Sequence, residues 1–450
     1  MREEYPYNPF GKNLREVSAV DLNVLKNTSE GWYIEYKRAP QDVRGTAKTL
    51  SAFANQYGGM LFVGVTEASD GSRVAGEFNG IPAADIPRIS LLIREASSAN
   101  ISPPVFYEEQ VIKGPCDPIG LPVDHAIVVI GVPQGLDAPY IHASGRIYRR
   151  VADQSAPKEE TDRHILDRLW ERGRKFRDQV AKRLRNSPEL PEAQANSAVA
   201  VIHLVPDLRL SSPEKVLEFE KFRELANAKN EVLSAPNLPL DTVYSRNGGY
   251  TGRQVSKNNP TYATVAFHWW HDGVARIEMP LNTFRFGDFG VSGYAHTGSF
   301  MRELGLQKYT AADVCDFSML ALGIMALTNL HSHLREATGD NRPLYATFEL
   351  RNVLYKVPFV NSEKYIARCR KYGVPVITDR TIHFHEEPYF DNMILLEPDE
   401  DATAETKRLL LPVVLIAAIL GSVGITPDDA AFAGDPDLWR NHHAERNKSE

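Results

Sequence analysis

The chain has 450 residues, 43% hydrophobic and 24% charged, which is material for two or three packed domains and excludes a wholly disordered protein. A formal charge of −7 excludes a protein that coats nucleic acid by bulk attraction, because phosphate binding needs matched basic side chains. Three scattered cysteines, Cys116, Cys315 and Cys369, exclude a disulfide framework and a four-cysteine zinc site and predict a reducing, cytoplasmic setting. Residues 1 to 30 carry charges and no apolar core of secretory type, so no signal peptide is expected.

The most informative stretch runs from Glu30 to Gly76. In Trp32-Tyr33-Ile34-Glu35-Tyr36-Lys37 a strand's period of two puts Trp32, Ile34 and Tyr36 on one face and Tyr33, Glu35 and Lys37 on the other. Glu35 and Lys37 then project side by side. A carboxylate beside an ammonium suits phosphodiester chemistry, the first holding a divalent cation and the second steadying an attacking water; a surface ion pair is the structural alternative. Val43, Ala47, Leu50 and Ala54 fall at helical spacing, which predicts a helix from Asp42 to Asn55. Gly58-Gly59 permits a sharp reversal into Met60 to Val65, an apolar run typical of a strand buried on both faces. The acidic turn Thr66 to Gly71 follows, with Glu67 at the mouth of that strand.

Ile86 to Ala96 marks a second helix, Val105 to Ile112 and His125 to Val132 read as strands, and Pro139 to Arg150 as a hairpin turning at Ser144-Gly145. Tyr148, Arg149 and Arg150 end the hairpin with an aromatic face and two guanidinium groups able to bind phosphate, or with ordinary exposed arginines.

Glu35-x-Lys37, Ser51-Ala52-Phe53-Ala54-Asn55, Gly58-Gly59, Phe62-Val63-Gly64-Val65 and Gly76, with Pro139-Tyr140-Ile141-His142 and Gly145 to Arg150, together resemble the Schlafen AlbA-type domain over residues 14 to 158. The resemblance implies a domain that handles nucleic acid, RNA in preference to DNA. Some relatives are metal-dependent endoribonucleases acting on structured RNA such as transfer RNA. Their metal site maps onto Glu30, Glu35 and Glu67 here, with Asp70 the runner-up for the third acid, Lys37 as the catalytic cation and Mg2+ or Mn2+ as the cofactor. The third acid departs from the family's usual aspartate. A role in bacterial defence is implied on the same ground. The alternative is a non-catalytic nucleic-acid- or nucleotide-binding regulator with a C-terminal sensor or partner-binding domain. On the nuclease reading, Glu35→Ala should abolish cleavage and spare the fold.

Between Pro157 and Ser187 ten Lys or Arg stand against six Asp or Glu. Thr161 to Arg185 reads as a helix with an apolar stripe of Ile165, Leu169, Phe176, Val180 and Leu184 and a basic remainder including Arg172 and Lys175, either phosphate contacts or a solvated face. The connecting helix is assigned to residues 159–187. Ser187-Pro188-Glu189-Leu190-Pro191 marks a boundary, and residues 190–450 form a second α/β domain without a recognised family. The fold class is therefore mixed α/β, an α+β arrangement with mixed sheets.

Within the second half, Ala198 to Val205, Tyr262 to Trp269 and Val274 to Met279 read as strands, Asp313 to Leu334 and Leu409 to Leu420 as buried helices. Proline and glycines interrupt Leu409 to Ile425, which falls short of a membrane span. His383-Phe384-His385 places two imidazoles on one strand face, a weak metal signal, while His331-Ser332-His333 lies on a helix where that spacing separates them. No phosphate-binding glycine motif is present, and homo-oligomerisation is left open.

Overall fold

A computed structural model describes residues 7–151, 156–185, 196–210, 215–227, 238, 240–254, 265–281, 283–285, 294–309, 311–396 and 404–426. The expected boundary at Ser187 to Pro191 lies outside them. The chain divides into two units, residues 1–179 and 180–450, each α+β.

The first unit is built in chain order from β1 (Ile34–Lys37), α1 (Val43–Asn55), β2 (Gly58–Val63), β3 (Ile81–Pro82), α2 (Ile86–Ser98), β4 (Ile101–Ser102), β5 (Glu108–Lys113), β6 (His125–Pro133), β7 (Ile141–His142), β8 (Tyr148–Arg149) and β9 (Lys158–Glu159). The helix α3 (Arg163–Arg185) follows and continues past Gln179 into the second unit's residues. β1 and β2 run parallel; β2, β3 and β5 each pair antiparallel with β6. All of β2 is buried, as its apolar run predicts: Leu61 and Val63 pack with Leu50 and Phe53 of α1 and Ile89 and Ile93 of α2, while Met60 and Phe62 pack with Leu14, Leu22, Ile34 and Tyr36.

Two local differences from the sequence pattern matter. β1 begins only at Ile34, so the alternation does not extend back to Trp32 and Tyr33, and Tyr33 packs beside the same core as Ile34 and Tyr36. The expected hairpin keeps its turn, with Gly145 at φ +78°, but β7 and β8 form no ladder with each other; Ile141 of β7 bridges Ile147, the residue before β8. Their ladders are made with β4 and β9 instead.

The second unit contains β10 (Val199–Pro206), α4 (Phe219–Asn227), β11 (Thr242–Arg246), β12 (Gly249–Arg253), β13 (Ala266–Trp270), β14 (Ala275–Pro280), β15 (Thr283–Arg285), α5 (Thr297–Leu306), β16 (Asp313–Asp316), α6 (Phe317–Thr338), β17 (Leu344–Arg351), β18 (Val357–Phe359), α7 (Glu363–Tyr372), β19 (Thr381–His383), β20 (Ile394–Leu396) and α8 (Ala404–Ser422). An eight-stranded sheet runs β11-β12-β13-β14-β10-β17-β19, with β20 also on β17. One face carries Ile202, Ile277, Phe267, Trp269 and Phe348 into the core beneath α6. Register places Thr251, His268, Arg276, His203 and Thr347 in one row on the opposite face. The helix expected from Asp313 begins at Phe317, because Asp313 to Asp316 form β16 and Asp316 caps the helix through the Met319 amide at 3.0 Å. No helix among the described residues is long and apolar enough to cross a membrane.

Candidate functional site

The strand geometry that sets Glu35 beside Lys37 holds: Lys37 Nζ lies 2.8 Å from Glu35 Oε1. Glu35 is not on a surface, however; its side chain is 1% exposed. Its other oxygen, Oε2, accepts from Arg150 Nη1 at 2.7 Å, and the Thr49 hydroxyl approaches Oε1 at 3.5 Å. Arg150 is buried completely. Its Nε and Nη2 donate to the Gly31 carbonyl at 3.0 and 2.7 Å, and its guanidinium lies over the Phe53 ring at 5.2 Å. Glu35 therefore joins β1, α1 and the end of β8 through a desolvated, bidentate-capable cation rather than facing solvent. Burial pulls the Arg150 guanidinium down, and the carboxylates of Glu35 and Glu30 oppose that.

Glu30 is also buried, and its Oε1 accepts from the Tyr36 amide at 2.6 Å. Burial pushes its carboxyl up; the Tyr36 amide and Lys37 pull it down, and the charges of Glu67 and Glu35 push it further up. The Glu30 amide donates to the Arg73 carbonyl at 2.7 Å. Glu67 is 39% exposed and lies 3.8 Å from Arg73 Nε. Arg73 itself sits at φ +59°, the left-handed region that non-glycine residues seldom adopt. Three acids, Glu30, Glu35 and Glu67, thus share one neighbourhood with three cations, Lys37, Arg73 and Arg150.

That balance bears on the expected cation pocket. Among the described residues no group of three His, Cys, Asp or Glu side chains is arranged to hold a metal ion. Glu35 has a positive group on each oxygen, so as arranged these residues do not fit a three-carboxylate centre for Mg2+ or Mn2+. Asp70, the runner-up, is exposed and accepts within its own turn from the Ser72 hydroxyl and from the Ser72 amide at 2.9 Å, which together hold its carboxyl low.

The basic candidates separate by environment. Arg149 is largely buried and paired with Glu160. Tyr148 is buried, with the Lys48 ammonium 4.9 Å above its ring. Arg172 reaches the carbonyls of Ala54, Asn55 and Gln56 at 3.2, 3.0 and 3.3 Å, so it closes the C-terminus of α1 instead of facing outward. Lys175 is 67% exposed, with its ammonium 2.8 Å from Glu171. Exposed cations that sequence reasoning passed over include Arg38 and Arg44. Asn55 stands out in the sequence only as the end of a motif, yet it ties the hairpin to α1: its Nδ2 donates to the Tyr140 and Tyr148 carbonyls at 2.8 and 2.9 Å, and its Oδ1 accepts from the Tyr140 amide at 2.7 Å. Its place at the end of the apolar helix, ahead of two glycines, was the available signal.

The first unit is thus an α+β domain in which one strand acid, Glu35, ties down the end of the closing hairpin through Arg150. Residues 30–159 match the family model described as Schlafen, AlbA_2, so the N-terminal third of the chain carries that domain. The domain points to a nucleic-acid-related function. Among solved structures, the chain is similar to the N-terminal domain of a putative ATP-dependent DNA helicase RecG-related protein from Nitrosomonas europaea, at 22% identity, 33% of this chain, 97% of that one and a TM-score of 0.25. It is also similar to the DIP2311 protein from Corynebacterium diphtheriae, at 18% identity, 32% of this chain, 24% of that one and a TM-score of 0.20. No curated protein matches.

Proposed function

We propose that the chain is a nucleic-acid-binding protein whose first unit grips the sugar-phosphate backbone of RNA through outward cations of α1 and its neighbours, Arg38, Arg44 and Lys48, beside Tyr148. One observation carries this reading: both oxygens of Glu35 are engaged by Lys37 and Arg150, which makes the acid a structural tie and leaves the binding work to unburied cations. Arg38 and Arg44 are exposed and stand on the strand end and first helical turn that this tie fixes. A backbone-gripping site built from a few local cations agrees with an overall charge of −7.

Metal-dependent RNA hydrolysis is the second reading. It requires Glu35 to give up Lys37 or Arg150 before it could take part, since both of its oxygens are engaged. One experiment separates the two. Full-length protein is titrated into a labelled RNA hairpin and a DNA duplex at several salt concentrations, then incubated with each under Mg2+ and Mn2+. The binding reading expects a salt-dependent complex, RNA preferred, with the substrate intact. Arg44→Ala should weaken binding and flatten the log–log salt slope by about 1. Absence of any complex, or a slope unchanged in that variant, overturns it; metal-dependent cleavage lost in Glu67→Gln establishes the second.

A further inference from the structure

The polar face of the second unit's sheet ends in a cavity of about 400 Å³ walled by His203, Thr347, Glu349, His383 and Glu386. We propose that this cavity binds an uncharged nucleobase, carried by a free nucleoside or presented by a single strand.

The sheet register builds the floor. His203 of β10 stands opposite Thr347 of β17, and Glu349 stands opposite His383 of β19, so the four side chains share one face in two adjacent rows. Side chains paired in this way sit roughly 5 Å apart, a span that suits the hydrogen-bonding edge of a planar base. His203 is 4% exposed, and its Nε2 is buried without a hydrogen-bond partner. A buried nitrogen in that state carries a desolvation cost that a ligand's donor or acceptor would remove. The Thr347 hydroxyl beside it can donate or accept, as can a neutral imidazole.

The charges around the floor select the ligand. Burial drives the His203 pKa down to about 3, so its ring is neutral at physiological pH and offers no cation to a phosphate. At the rim the Arg185 guanidinium, which donates to the Glu386 carbonyl at 3.1 Å, is offset by the Glu386 carboxylate, so the rim presents no net positive charge to an anion. A cation is disfavoured in turn, because Glu349 already faces Arg351 Nε at 3.0 Å. The apolar bodies of Leu184 and Pro388 complete the walls and suit a flat ring. A neutral heteroaromatic with a polar edge satisfies all of these conditions. The site lies wholly within residues 180–450 and does not rest on the reading of the first unit.

Calorimetric titration of full-length protein with the four ribonucleosides, their 5′-monophosphates, a short single-stranded oligonucleotide and spermidine tests it. One nucleoside or the oligonucleotide should saturate one site per chain, with the monophosphate binding no tighter than its nucleoside. Thr347→Val preserves volume and removes the hydroxyl; it should weaken that binding about tenfold while circular dichroism and thermal unfolding stay unchanged. His203→Gln should weaken it comparably. Oligonucleotide binding that survives Thr347→Val belongs to another surface and counts against the cavity. Saturation by spermidine in preference to nucleosides, tighter binding of monophosphates, or no saturable binding of any base overturns the proposal, and none of these outcomes depends on whether Arg44 contacts RNA.

Discussion

Glu35 and Arg150 are each withdrawn from solvent, so their mutual attraction is strong and the penalty for separating them large. Removing one partner leaves the other charged and buried. Glu35→Ala should therefore lower the unfolding free energy by about 3 to 5 kcal/mol, replacing the sequence-based expectation that the fold is spared. Urea denaturation checks this. The double variant Glu35→Leu with Arg150→Met should recover most of the loss, and a lasting deficit would show that Lys37 and Gly31, not the pair, dominate the site. The Glu35–Lys37 contact was legible because two residues apart on a strand means one face. Arg150 was legible only as a basic residue, since its partner lies 115 positions away and no local pattern encodes that distance. Arg73, at φ +59°, was equally hidden: nothing in its sequence neighbours announces a left-handed arginine.

At the scale of elements, α1 is legible because periodicity and a terminating glycine pair agree; the structure adds the cap, in which Asp42 accepts from the Gly45 amide at 2.7 Å. The closing hairpin was read in part. Its turn follows from Ser144-Gly145, but its strands are too short to hold each other, and Asn55 does that work. The basic face of α3 reads either as phosphate contacts or as a solvated surface, and its apolar residues Leu169, Phe176, Val180 and Leu184 are buried as their spacing requires. Gly173 lies on it where a Cβ would meet the Ala138 carbonyl oxygen at 1.9 Å, so the helix packs close at that point. One residue earlier, Arg172 fastens to the last carbonyls of α1. Arg172→Ala should cost about 2 kcal/mol in chemical denaturation, with lysine a poor substitute because it cannot span three carbonyls. An unchanged midpoint would return Arg172 to the pool of surface cations.

Across the whole molecule, buried histidines in the second unit set a pH response. Burial drives His331 down to about 3, so it stays neutral in the folded chain while the unfolded chain takes up a proton near 6.5. The unfolded state then holds more protons, and stability contributed by this group falls as pH drops from 6.5 towards 3, by about 1.4 kcal/mol per pH unit. Asp316, pushed up to about 6 by burial, works in the opposite sense over part of that range. His331→Leu should make the acid limb shallower by about that slope in thermal melts between pH 6.5 and 4. The same limb in both proteins would exclude His331 as its source. The arrangement of the large sheet has another consequence. Its central strand, β10, is synthesised before β14 and β17, the two neighbours that cover its edges. At typical ribosomal speeds the roughly 140 residues that follow take about 7 to 30 s, during which Val-Ala-Val-Ile-His-Leu-Val keeps at least one open edge, with His203 as its sole polar side chain. Newborn chains should therefore lean on chaperones at this stage, and slow, cool expression should raise the soluble yield more than any change made to the finished protein's surface.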